Sequence, residues 1–255
     1  MTRRVVYLAD LARELLGRDL KLRYKRSVLG LSWSILYPLA QLVVLTVVFQ
    51  WVLPLNIENY SVFLFCGLLA WNWFSGALYA GTSVVVDNSD LVRHPRFVIV
   101  VLPLVSVASH WLHFLLALPV LGVFLVAAGI VPGWSLLALP GVMVVQFAFT
   151  LSLVYLLAAL HVFYRDTQYM LSVVLLLGFY VSGVFYDISS VPQHLQLLYR
   201  MNPVALLIES YRSILLYGQF PAPLPLLTLL GVALLLFGFG IGVFRRASYR
   251  FAEEL

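Results

Sequence analysis

Six long apolar stretches alternate with short polar ones along this chain, at 31–53, 62–86, 98–128, 134–163, 169–186 and 224–244. A helix needs about twenty apolar residues to cross a hydrocarbon layer of about 30 Å, at about 1.5 Å per residue, and these stretches have that length or more. The stretches at 98–128 and 134–163 exceed one bilayer and must tilt or project. None shows the ten-residue alternation of a membrane barrel, so helices are left as the structure that satisfies every backbone group in lipid. The pattern predicts an all-α integral membrane protein of six spans. Pro38, Pro103, Pro119 and Pro140 fall in or near span ends and read as kinks or caps rather than breaks.

Three segments outside the spans carry organisation of their own. From 5 to 16, Val5, Leu8, Leu11, Ala12, Leu15 and Leu16 recur at helical spacing while Asp10, Arg13, Glu14 and then Arg18 take the other face. That pattern predicts a helix lying on the bilayer surface; a plain basic anchor is the simpler reading. The loop 87–97 (DNSDLVRHPRF) has Asp87 or Asn88 placed to cap a helix starting near Ser89, a short lever for a partner, or else it only turns the chain. The segment 187–222 is too long and too apolar for a solvated loop, and Pro192 and Asn202-Pro203 break it. It predicts two short amphipathic or re-entrant helices, with Glu209 and Arg212 at i, i+3 able to pair. A seventh span is the competing reading, and it would have to carry that charge pair and put the C-terminal arginines outside.

Charge then fixes orientation. The chain is 62% apolar and only 11% charged, with a net charge of +5, where soluble domains carry about a quarter charged residues. The basic residues lie between apolar runs rather than in one patch, which argues against nucleic acid as the partner. Of 16 Lys and Arg, only Arg200 and Arg212 fall in alternate loops; the other fourteen lie on one side, which places both ends in the cytoplasm. The single Cys66 sits in an apolar run and reads as packing. The start of the chain is expected to be retained rather than cleaved, because its first apolar run is too long for a signal peptide.

Candidate chemistry is sparse. The six stretches hold no Asp, Glu, Lys or Arg, so ion-coupled transport lacks its usual carrier group. His110 and His113, at i, i+3, make an incomplete metal site and read as interfacial packing. Asp87, Asp90, His94, His161 and Asp166 are scattered singly, without catalytic spacing. The chain contains no GxxxxGK[ST] phosphate loop, so uphill movement would draw on another polypeptide. Aromatic residues are abundant in the first two spans: Trp33, Tyr37, Trp71, Trp73, Phe74 and Tyr79. Single rings of this kind are usually interfacial anchors, whereas Trp71-Asn72-Trp73 lies well inside a span, where rings could stack on sugars or acyl chains and Asn72 could hydrogen-bond.

The stretch Asp19-Leu-Lys-Leu-Arg23-Tyr24-Lys25-Arg26-Ser27-Val-Leu29-Gly30-Leu-Ser-Trp33, followed by Tyr37-Pro38, resembles the N-terminal motif of polysaccharide-exporting permeases of the type-2 ABC family. Tyr164-Arg165-Asp166, Ser182-Gly183-Val184-Phe185-Tyr186, and Asn202-Pro203 followed by Glu209-Ser-Tyr-Arg212 extend the likeness over essentially the whole chain. The resemblance implies a half-transporter in the bacterial inner membrane: a homodimer carrying a lipid-linked glycan, driven by a cytoplasmic ATPase dimer that binds ATP and Mg, with no cofactor and no catalysis in this chain. It implies an interface helix and motif in 1–30 (Arg13, Arg18, Arg23, Tyr24, Lys25, Ser27, Gly30), a transmembrane domain at 31–244 and a cytoplasmic tail at 245–255. ATPase coupling would fall to 87–97 (Asp87, Asp90, Arg93, His94, Pro95, Arg96), and the substrate path to Trp33, Tyr37, Trp71, Asn72, Trp73 and Phe74. The gate would lie in and just before 187–222 (Phe185, Tyr186, Pro192, Asn202, Pro203, Glu209, Arg212). Arginine in excess of lysine suggests a high-GC source, for which O-antigen is the favoured polymer over teichoic acid or capsule. A drug or lipid exporter on the same scaffold, and a membrane-embedded glycan-modifying enzyme, are the rival readings.

Overall fold

A computed structural model of the chain describes residues 10–18, 30–53, 55–94 and 97–255. Helix α1 covers residues 10–18. A 3-10 turn at Gly30–Ser32 leads into α2, Trp33–Thr46, which loosens into a π-helical stretch at Val47–Val52. Helix α3 is Tyr60–Asp87, α4 the four-residue Ser89–Val92, and α5 Val101–Ala127. The turn Trp134–Ala138 continues into α6, Leu139–Phe163, and α7 is Thr167–Val181. Beyond it come α8 at Gln196–Met201, α9 at Pro203–Leu215, α10 at Pro223–Ser248 and α11 at Phe251–Glu254.

Five of these stretches are long and apolar enough to cross a membrane: Trp33–Val52, Tyr60–Asp87, Val101–Ala127, Trp134–Phe163 and Pro223–Ser248. The sixth is shorter than the apolar pattern predicts. Helix α7 has 15 residues, about 22 Å at about 1.5 Å per residue, and stops at Val181 although the apolar run continues to Tyr186. The reason is local: Gly183 adopts φ +66, a left-handed turn that ends the helix. The expected prolines fall as caps and inserts, with Pro140 at the start of α6 and Pro38 and Pro119 inside α2 and α5.

Helix α3 forms the core and packs against α2, α5, α6, α7 and α9, while α6 also pairs with α10. Small residues permit the close approach, as they do wherever membrane helices meet. A Cβ on Gly81 would run into the Val154 side chain of α6, and one on Gly240 of α10 would come 3.0 Å from the Ser152 carbonyl of α6. Many of the large apolar side chains left exposed lie on α2, α7 and α10.

The segment 187–222 does contain two short helices, α8 and α9, but they differ in kind. Helix α9 has 13 residues, about 20 Å long, too short for the competing seventh span. It buries Val204, Leu207, Ile208, Tyr211 and Ile214 against the protein, chiefly α3 and α6. Helix α8 turns Leu197, Leu198 and Met201 outward. Within 245–255 the chain packs back on the helical body. Helix α11 docks on α4 and α6 through the fully buried Phe251, which meets Phe163 and Phe244.

Candidate functional site

Within the helical body, Leu69, Asn72, Trp73 and Gly76 recur at i, i+3, i+4, i+7 on one face of α3, and His110, His113, Phe114 and Ala117 repeat the spacing on α5. With Trp33, Ser34, Tyr37 and Pro38 of α2 they enclose a cavity of about 500 Å³. Asn72 Nδ2 donates to Gln41 Oε1 at 2.8 Å, and Gln41 Nε2 donates to the Tyr37 hydroxyl at 3.3 Å, tying α3 to α2. Ser34 Oγ lies 3.2 Å from His113 Nδ1, and His110 Nδ1 lies 2.9 Å from the Ser106 carbonyl.

Of the six residues expected on the substrate path, Trp33, Tyr37, Asn72 and Trp73 line this cavity. Trp71 and Phe74 do not. One helical step round α3, both are buried: Trp71 packs on Gly178 and Phe179 of α7, and Phe74 stacks on Phe149 of α6 at 6.0 Å. Conversely, Ser34, Ser75, His110 and His113 join the cavity without having been expected there. Only their shared i, i+3 phase with the aromatic residues could have signalled it. Among the described residues no three His, Cys, Asp or Glu side chains come together as a metal site.

At the end of the molecule bearing α4, the loop after α3 is held from both sides. Helix α4 begins at Ser89 as the sequence suggests, but neither expected side chain caps it. Asp87 Oδ2 accepts from Ser83 Oγ at 2.6 Å; Asn88 donates back to the Val84 carbonyl and accepts from Arg18 Nη2 of α1 at 3.2 Å. Both side chains are thus spent on α3 and α1, leaving the first turn of α4 uncapped. Val92 is buried while Asp90, Arg93 and His94 are exposed. Arg13 lies on α1, and Gly30 takes φ +46 at the turn before α2. Arg23, Tyr24, Lys25, Ser27, Pro95 and Arg96 fall outside the described residues.

The opposite end is a network around Arg212, 2% exposed. Its guanidinium donates to the carbonyls of Gly183 at 2.8 Å, Val184 at 2.6 Å and Phe63 at 3.3 Å, and lies 3.4 Å from the centroid of the Phe63 ring. Gly67 of α3 provides the clearance, since a Cβ there would meet both Arg212 Nη2 and the Val184 carbonyl at 2.7 Å. The expected Glu209–Arg212 pair is therefore not formed, because the arginine turns to carbonyls exposed where α7 ends. Burial lowers the Arg212 pKa, and burial raises that of Glu209 above the usual carboxylate range. The Glu209 carboxyl and the Tyr199 hydroxyl lie close enough to interact, but not in good hydrogen-bonding geometry. Asn202 accepts from the N–H groups of Val204 and Ala205 at 2.9 and 3.3 Å and donates to Ser182 Oγ at 3.0 Å, so Asn202-Pro203 caps α9 and fastens it to α7. Phe185 stacks on Phe49 of the π-helical stretch at 4.8 Å, and its carbonyl accepts from the Tyr60 hydroxyl at 3.0 Å. Tyr186 packs on Phe185 and Tyr199, and Pro192 leads into the turn before α8.

Three features thus stand out: a cavity between α2, α3 and α5, a loop after α3 braced from both sides, and a helical segment clamped by Arg212. Comparison with known proteins identifies the family. The ABC-2 type transporter family matches residues 11–216. The O-antigen export system permease protein RfbA of Myxococcus xanthus is 35% identical over 243 residues, 94% of each chain. The protein of the same name from Klebsiella pneumoniae is 32% identical over 251 residues, 98% of this chain and 96% of its own. The chain belongs to the ABC-2 type transporter family of membrane permeases.

Proposed function

We propose that this permease is the membrane half of an ATP-driven exporter that carries a lipid-linked polysaccharide, of the O-antigen class, across the bacterial inner membrane. The observation that supports this most is the likeness to O-antigen export permeases along nearly the whole chain, at 94% and 98% coverage. Two copies form the passage, and a separate cytoplasmic ATPase dimer binds ATP and Mg. Both chain ends face the cytoplasm, as the distribution of basic residues supports. The exposed Asp90, Arg93 and His94 of the 87–97 loop, with Arg96 beside them in sequence, contact the ATPase. ATP binding moves that loop, and α3, which continues directly from it, carries the motion to the cavity and to the Arg212 network.

Deleting the gene and analysing surface glycan tests the reading. Loss of surface polymer with lipid-linked polymer accumulating inside supports it, and unchanged surface glycan contradicts it. Replacing Arg93 and Arg96 together by alanine is expected to leave the permease inserted and dimeric while ATP hydrolysis no longer drives export.

A further inference from the structure

Glu209 and Arg212 stand three residues apart on α9, where side chains reach one another. A guanidinium and a carboxylate make strong, charge-assisted partners, yet the arginine is turned to the segment 182–186, which has left α7 and belongs to no helix. Arg212 holds the carbonyls of Gly183 and Val184, and the Tyr60 hydroxyl of α3 holds that of Phe185. Three consecutive backbone oxygens therefore hang from side chains of α9 and α3. A small shift of this segment breaks all three bonds together without unwinding a helix. It also leaves a buried guanidinium short of two acceptors, a costly state unless another arrives. Glu209 is placed to be that acceptor. Among the described residues its Oε1 is buried without a hydrogen-bond partner, and so is the Tyr199 hydroxyl beside it. Tyr199 also lies over Gly183, where an added Cβ would run into its hydroxyl, so one ring touches both the segment and the waiting carboxyl. Helix α9 is itself anchored, capped by Asn202 and packed on α3 and α6, so the segment is the part able to move.

We propose that Arg212 is a two-position latch: it clamps the segment 183–185 through the Gly183 and Val184 carbonyls in this conformation, and pairs with Glu209 when the segment is released. The released state is then a second stable arrangement rather than a partly unfolded one. The inference rests on the export reading only in taking that released state as the open gate.

The test is amide hydrogen exchange at 183–187 in the full-length permease at pH 7.5, read by mass spectrometry. Glu209→Gln takes the ion partner from the released state and is expected to slow exchange there about tenfold, the weight of one hydrogen bond to a charged group. With Arg212→Met in the same chain there is no cation to receive, and Glu209→Gln is expected to change exchange by less than about twofold. A carboxyl that is only unpaired acts alike in both backgrounds. Equal slowing with and without Arg212→Met, or no slowing in the otherwise natural chain, therefore overturns the latch. Should the Arg212→Met chain not fold, two other backgrounds favour release: Gly183→Ala, whose Cβ runs into Tyr199, and Gly67→Ala, whose Cβ meets Arg212 Nη2 and the Val184 carbonyl at 2.7 Å. In either, Glu209→Gln is expected to lower the melting temperature, whereas in the natural chain it raises it; a rise in every background overturns the latch. None of these measurements needs cargo or ATPase. Exchange in the permease–ATPase complex then separates the two readings, since ATP is expected to speed it at 183–187. If ATP has no effect while the substitutions behave as stated, the latch stands and the ATP-driven gate fails; if ATP speeds exchange and the substitutions do not behave so, the gate stands and the latch fails.

Discussion

Arg212→Met keeps most of the side-chain volume but removes every donor from the centre of the network that joins α3, α7 and α9. The Phe63 carbonyl lies inside α3, where the helical ladder also serves it, whereas the carbonyls of Gly183 and Val184 follow the end of α7 and lose their partner. Two buried orphan carbonyls cost about 1–3 kcal/mol each, and the lost cation–π contact with Phe63 adds about 2 kcal/mol at a desolvated site. Against this stands the relief of no longer burying a charge, which offsets several kcal/mol. The balance is a destabilisation of about 3 kcal/mol, which for a chain of this size lowers the melting temperature by roughly 6–12 °C. Arg212→Lys should fall between, because an ammonium keeps the charge but lacks the planar fork that reaches three carbonyls at once. Scanning fluorimetry of the detergent-purified protein measures both. If Arg212→Met melts within about 2 °C of the natural protein, or Arg212→Lys is the worse of the two, the carbonyl clamp is not what holds these helices together.

Three further outcomes are expected. Because burial raises the Glu209 pKa, the folded protein holds that proton more tightly than the unfolded chain, and stability falls as pH rises from about 4.3 through the raised folded value; Glu209→Gln should therefore raise the melting temperature more at pH 7.5 than at pH 4.5. Phe251→Ala removes a fully buried ring, at about 3–5 kcal/mol for a core phenylalanine, and should speed hydrogen exchange in residues 89–94 while leaving α9 protected. Trp71→Ala, cut from packing against Gly178, should lower the melting temperature by several degrees, whereas Trp33→Ala at the cavity mouth should weaken glycan stimulation of the ATPase with the melting temperature within about 2 °C.

Run length carried most of the fold, because a bilayer demands it. The stretches 62–86 and 134–163 match Tyr60–Asp87 and Trp134–Phe163 within two residues, and Asn202-Pro203 marked the start of α9 through capping chemistry alone. What could not be read from the sequence depends on contacts between distant segments. The apolar run through Val181 gives no sign that Gly183 turns left-handed, since hydropathy is blind to φ. Spacing put Arg212 beside Glu209, yet carbonyls at the end of another helix compete for a guanidinium and have no side-chain signature. Asn88 looked like a cap until Arg18 and the Val84 carbonyl claimed its amide. The two histidines make an incomplete metal site by themselves; only with α3 and α2 in place do they become the wall of a polar cavity. The Trp71-Asn72-Trp73 motif marked the right turn of α3, but successive residues point in different directions on a helix, so its first ring packs on α7 while the other two side chains face the cavity.

The most direct test of the central claim is reconstitution. The purified permease is placed in liposomes with and without its ATPase, with radiolabelled lipid-linked polysaccharide loaded on the ATPase side, and polymer reaching the opposite leaflet is counted after ATP addition. The account predicts transfer only when permease, ATPase and ATP are all present. Transfer by the permease alone, or none with all three, would contradict it.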